Sequence, residues 1–137
     1  MKSSKKGDLY SKLFVMSEKK LLKKHLVEAA RWIAITKEGV VLIKVKRDID
    51  DFYRVCLYLL GKAISKVLGI VDNESISFDD VSNISIKEDP KLVIVKLLSD
   101  NFAVYVGNNR YVINYLNLDA IFEEVREYIR RIEGEIA

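Results

Sequence analysis

The chain has 137 residues, with one Cys, one His and a formal net charge of +3. A chain of this length forms one domain that buries about two-thirds of its unfolded surface, so it needs neither a metal nor a disulfide. No apolar run of signal or membrane length is present, and a lone thiol is typical of a reducing compartment. We therefore expect a cytoplasmic protein without a transmembrane segment.

Charge is unevenly distributed along the chain. Residues 1–24 contain eight Lys against Asp8 and Glu18, so they carry +6 and the remainder carries −3. We divide the chain into a basic, partly disordered segment at 1–16 and a single domain at 17–137. The sequence contains no Gln but many Ile, Lys and Glu residues, a composition that indicates a thermophilic archaeal or bacterial source.

The first half predicts a helix, a hairpin and a second helix. Ser17 is the expected N-cap of a helix over 18–31. Residues 32–46 form two β-branched runs around Gly39, which is typical of a tight hairpin. Because both faces of these runs are apolar, the hairpin is expected at the centre of a sheet covered on both sides. Acidic residues at 48, 50 and 51 then open a long helix that ends at Gly69.

The second half predicts mostly strands. Residues 71–83 are polar and are expected to form a loop, with a short strand at the start. Strands are expected over 83–87, 91–98 and 101–106, and a further strand over 110–116 is left open. A last helix, capped by Asn117 or Asp119, carries one apolar stripe. The fold class is therefore α+β or α/β, with a single mixed or antiparallel sheet of about five to six strands in the order α-β-β-α-β-β-β-(β)-α.

The long middle helix has apolar side chains around about half of its circumference, more than an ordinary surface helix presents. One sheet cannot cover so wide a face, and exposure of the rest would forfeit about 1.5 to 3 kcal/mol for each large side chain. We therefore expect a homodimer in which this helix packs against its copy. The expected interface residues are Cys56, Leu60, Ala63, Ile64 and Val67.

Two stretches resemble a known family. The hairpin AITKEGVVLIK, followed by a long helix with small residues, and the later run ISIKEDPKLVIVKLLSDNFAVYVGNN, followed by an amphipathic helix, resemble the roadblock/LC7 family over about residues 21–132. Longin-like domains share the sheet and the long helix and are a close competitor. The resemblance implies a homodimer with a continuous sheet, and a Ras-like small GTPase as partner.

No arrangement of residues indicates catalysis. No nucleophile–base pair, acid–base pair or metal-ligand cluster can be assembled, so we expect a protein that is not an enzyme and has no cofactor or metal. His25 is the sole imidazole and is expected to be structural, and Cys56 is expected to pack in the core or interface. Acidic residues over 72–80 lack the spacing of an EF-hand and are expected to be solvated.

Four lysines in the first helix remain candidates for binding. Lys19, Lys20, Lys23 and Lys24 are candidate contacts to nucleic acid or to another anionic surface, although few aromatic residues accompany them. The leading hypothesis is a non-catalytic dimeric scaffold or regulator that binds a partner protein. The alternative is a nucleic-acid-associated accessory protein that uses the lysine-rich N-terminal segment.

Overall fold

The structure, a computed structural model, describes residues 18–134. These residues form a mixed α+β fold with six α-helices, one 3₁₀ turn and two small antiparallel sheets. In chain order the elements are α1 (Glu18–Lys23), α2 (Leu26–Trp32), β1 (Ile33–Ile35), β2 (Val41–Ile43), α3 (Asp51–Val67), β3 (Ile76–Ser77), α4 (Phe78–Ile84), α5 (Pro90–Ser99), β4 (Ala103–Tyr105), β5 (Arg110–Ile113), the 3₁₀ turn (Tyr115–Asn117) and α6 (Leu118–Gly134).

Helix α3 is the central element of the fold. It contacts both strands of the first hairpin, α1, α4, α5 and β5. Eleven of its seventeen residues are buried, and its apolar side chains belong to one continuous core. Gly69 has a φ of +76° just beyond the helix, so the expected end of this helix is confirmed.

Helix α6 packs against α2 and contributes a second side of the core. Phe122 stacks on Trp32 with ring centroids 5.4 Å apart, and Arg126 forms a forked ion pair with Glu28 at 2.5 and 2.6 Å. Five of the six buried residues of α6 lie on the predicted stripe, at Leu118, Ile121, Phe122, Val125 and Ile129, and Tyr128 is buried beside it. The last predicted helix is therefore confirmed.

The predicted hairpin is confirmed, but its predicted surroundings are wrong. Ile33 pairs with Ile43, and Gly39 has a φ of +87° in the turn. However, β1 and β2 form a sheet of their own, and Leu42 and Val40 on its outer face are about half exposed. One helix, α3, covers the inner face, so the hairpin is not central in a larger sheet.

Residues 18–134 also do not form the expected single sheet of five to six strands. The second sheet contains three strands in the order β3-β5-β4. Residues 83–87 are not a strand, since α4 ends at Ile84 and a turn follows. Residues 91–98 lie in α5, because Asp89 caps that helix, Pro90 occupies its first turn, and the buried residues Val93, Ile94 and Leu97 follow helical spacing.

Two further differences concern helices. The expected loop over 71–83 contains α4, which begins with a capping box formed by Ser77 and Asp80. The expected first helix is interrupted at residues 24 and 25, where α1 ends and α2 begins. The predicted N-cap Ser17 and the whole of the basic segment at 1–16 lie outside the described residues. The strand left open over 110–116 is β5, followed by the 3₁₀ turn.

Candidate functional site

Helices α4 and α5 are joined by a five-residue turn, and the turn is fixed by a buried carboxylate. Asp51, the first residue of α3, is 3% exposed. Its Oδ2 accepts hydrogen bonds from the backbone N–H groups of Ile86, Lys87 and Glu88, at 3.1, 2.8 and 2.8 Å. Burial acts to raise the pKa of Asp51, but these three bonds outweigh it and hold the pKa below its ordinary value. The carboxylate therefore ties α5 to the central helix.

The β4–β5 hairpin lies beside the two helices. Its turn contains Gly107, Asn108 and Asn109, all with positive φ values between 53° and 91°. This conformation is accessible to Gly and tolerated by Asn. The backbone N–H of Val106 donates to the carbonyl of Arg110 at 3.0 Å and closes the turn. Both Asn side chains are thereby placed at the tip of the hairpin.

A cleft of about 400 Å³ separates this turn from the N-terminal ends of α4 and α5. It is lined by Ser77, Phe78, Asp79, Lys91, Asn108 and Asn109. The Ser77 hydroxyl accepts the capping hydrogen bond from Asp80, and the amide, amine and carboxylate groups can donate and accept hydrogen bonds. The cleft therefore offers polar recognition with one positive and one negative side chain.

The connectivity of this region defines a winged helix-turn-helix unit. Helix α3 is followed by β3, the pair α4 and α5, and the β4–β5 hairpin, and β5 lies between the other two strands. In such a unit the second helix of the pair and the hairpin turn form the outward-facing edge. The class shown is thus a small mixed α+β protein, in which this part of the chain has the connectivity of a winged helix-turn-helix. Fold alone does not specify what that edge binds.

The exposed side of the second helix carries two apolar side chains beside Lys91, Lys96 and Ser99. Ile86 in the turn, Leu92 and Val95 are 68%, 65% and 59% exposed; we call these three residues the α5 face. Glu88 and Asp89 precede the helix, and residues 51–113 contain seven basic against eight acidic residues, a net charge of −1. A surface that neutralises phosphates requires several free cations. The α5 face itself contributes no cation, while Lys91 and Lys96 lie exposed on the same helix.

The residues predicted for the dimer interface are brought together, but they lie inside the subunit. Cys56, Leu60, Ala63 and Ile64 are between 1% and 5% exposed, and Val67 is partly buried against the same core. The single chain thus covers the wide apolar face, because the first hairpin, β5 and the helices α1, α4 and α5 contact α3 where one sheet was expected. Dimerisation stays a prediction, while the reason for placing it at these residues no longer applies.

Burial of Cys56 has a consequence for its reactivity. The pKa of its thiol is raised to about 12, first by burial and then by the charge of Glu124. Iodoacetamide should therefore not label the folded protein at pH 8 but should label it fully in denaturant. Mass spectrometry measures both. Labelling of the native protein at the rate seen for the denatured protein would contradict the buried position.

The remaining predicted residues lie elsewhere. Lys19, Lys20, Lys23 and Lys24 are exposed on and just after α1, and Lys24 lies 3.5 Å from Asp119. His25 stacks on Phe122 at 4.1 Å and bonds to Asp119 at 2.7 Å, which lowers the pKa of Asp119. Within residues 18–134 no group of three or more His, Cys, Asp or Glu side chains is placed to hold a metal. No helix among those residues is long and apolar enough to cross a bilayer.

Sequence reasoning missed the helix-turn-helix pair, although signals for it are present. Ser77 and Asp80 have the spacing of a capping box, and Asp89-Pro90 is a typical helix start. The β-branched residues in 91–98 favour a strand, and the prediction gave them more weight than these helix signals. Comparison of the chain with models of protein families, with curated proteins and with solved structures gave no match.

Proposed function

We propose that this protein is a non-catalytic scaffold or regulator that binds a partner protein through the α5 face. The observation that carries the proposal is the exposure of Leu92 and Val95, one helical turn apart, on a unit with almost no net charge. A partner with an apolar, weakly charged surface would bury both side chains, and protein interfaces have such a core. A second copy of the chain and a Ras-like GTPase, as the family resemblance implies, are two such partners.

Substitution of the α5 face tests this proposal. Leu92→Ser with Val95→Ser should leave the unfolding temperature unchanged, since both side chains are exposed, and should reduce partner capture about tenfold or more. Partner capture is measured by pull-down from extracts of the source cell, once with GTP added and once with GDP added. Light scattering on the purified protein shows whether the partner is a second copy, since the double variant would then be a monomer.

The matched control is Leu116→Ser in the 3₁₀ turn, where the side chain is 91% exposed. This change removes an exposed Leu of the same size from a different part of the surface. It should leave both capture and mass unchanged. Equal loss in the control, or full capture by the α5 double variant, would contradict the proposal.

Nucleic-acid binding by the helix-turn-helix unit is the second candidate function. The connectivity favours it, and Lys91 with the two Asn side chains of the hairpin turn could contact a duplex. The acidic residues Glu88 and Asp89 at the start of α5 oppose it. A Lys91→Glu variant with unchanged duplex affinity would exclude this candidate.

A further inference from the structure

The outer face of the first hairpin combines basic and apolar side chains. Along β2 and the residues after it, Val40, Leu42, Lys44 and Lys46 are exposed, while the intervening residues face the core. Strand alternation therefore places these four side chains on one face. Ala34 lies opposite Leu42 on the same face. We call the four residues, with Ala34, Lys37 and Arg47, the hairpin face.

The cations of this face lack acidic partners. Residues 30–47 contain five basic residues against Glu38 alone, a net charge of +4. The ion pairs of residues 18–134 involve Lys24, His25, Arg54, Lys87, Arg126 and Arg130. Lys37, Lys46 and Arg47 are exposed and take part in none of them, while Lys44 donates to the carbonyl of Ala30 at 2.6 Å. The positive charge here is consequently free to bind an anion.

The hairpin face and the α5 face lie on opposite sides of α3. Leu59 lines a small internal cavity with Ile94 and Leu97 of α5, and Gly61 lies directly against Val41 of β2. Leu59 and Gly61 are two residues apart, which is a rotation of about 200° around the axis of α3. A ligand on the hairpin face would therefore leave the α5 face free.

We propose that the hairpin face binds the phosphate backbone of double-stranded nucleic acid. A two-stranded ribbon fits the width of the major groove of DNA, and the three free cations Lys37, Lys46 and Arg47 can neutralise phosphates beside it. Val40 and Leu42 are placed to contact thymine methyl groups. Two half-exposed apolar side chains are too little area to hold a bilayer surface, which disfavours a membrane as the ligand. The site differs from the lysines of α1 and from the helix-turn-helix unit.

The test is titration of the full chain with a 20-base-pair duplex at several salt concentrations. Fluorescence anisotropy of the labelled duplex reports binding. Lys46→Glu with Arg47→Glu is the test variant, because neither side chain makes a hydrogen bond or ion pair that folding would lose. We expect its affinity to fall about tenfold or more at moderate salt, and the slope of log affinity against log salt to fall by about 2. The unfolding temperature should not change.

The matched control is Lys66→Glu with Arg131→Glu, which makes the same change of charge at exposed positions outside every candidate nucleic-acid site. It should retain most of the wild-type affinity. Lys19→Glu with Lys23→Glu and Lys91→Glu test the two competing sites, and each should lower the affinity less than the hairpin variant does. Equal or greater loss in any of these three variants, a flat salt response, or binding to vesicles of phosphatidylglycerol with none to the duplex would overturn the proposal.

Discussion

Replacement of Asp51 by Ala is expected to destabilise the fold by about 3 kcal/mol. The substitution leaves three backbone N–H groups of the α4–α5 turn without their acceptor, at a place where the carboxylate they bind is 3% exposed. A buried donor without a partner costs about 1 to 3 kcal/mol, and these donors lose the same charged acceptor together. Urea unfolding, monitored by circular dichroism, measures the loss of unfolding free energy.

The effect should depend on pH. The pKa of Asp51 is lower in the folded protein than its ordinary value, so the carboxylate stabilises the fold fully above the unfolded pKa of about 4. That stabilisation is lost as the pH falls below this value and through the folded pKa. The difference in unfolding free energy between the wild type and Asp51→Ala should consequently shrink as the pH falls below about 4.

Asp51→Asn is the matched control, since its amide oxygen can still accept one or two of the bonds without the charge. We expect an intermediate loss at pH 7, which also shrinks as the pH falls because the wild-type carboxylate is protonated. The difference in unfolding free energy between Asp51→Asn and Asp51→Ala should vary little with pH, since neither side chain titrates. If Asp51→Ala unfolds at the same urea concentration as the wild type at pH 7, the turn is not held by this carboxylate. The placement of α5 would then need another explanation.

Replacement of Gly61 by Ala is expected to destabilise the fold by about 1 to 3 kcal/mol, although Ala is the better helix former. A Cβ atom at this position would lie 2.6 Å from both methyl carbons of Val41. The contact joins α3 to β2 within one chain, so relief requires movement of the hairpin. Denaturant unfolding of the single variant measures this cost.

A double-mutant cycle with Val41→Ala tests the origin of the clash. Val41→Ala alone should destabilise by leaving a cavity. The combined variant should be more stable than the sum of the two effects predicts, by about 1 kcal/mol or more, because the new methyl group fills space that Val41 vacates. Additive effects would show that Gly61 packs against something other than Val41, such as a second copy of α3.

Several elements could be predicted from the sequence because their signals are local. The hairpin follows from two β-branched runs around Gly39, and α6 follows from a stripe that keeps a helical period throughout. The ends of α3 are marked by acidic residues at one end and Gly69 at the other. Each of these features depends on residues within one helix or one turn.

The candidate site could not be predicted in the same way. Residues 91–98 are rich in Val, Ile and Leu, and such a run is compatible with a buried strand or a buried helix until its neighbours are known. In the structure Val93, Ile94 and Leu97 face α3 and β4, while Leu92 and Val95 are exposed. Helical spacing is therefore visible only once the buried side is identified.

The sequence by itself determined the composition of the core, the first hairpin, the central and C-terminal helices and the uneven charge. Only the tertiary structure decided what surrounds α3. Apolar side chains around a helix show that the helix is buried. They do not show which elements cover it, since the hydrophobic effect is non-directional. Here the same chain supplies both sides, because the Asp51 carboxylate fixes the α4–α5 turn at one side of α3 and Gly61 admits Val41 of the hairpin at the other.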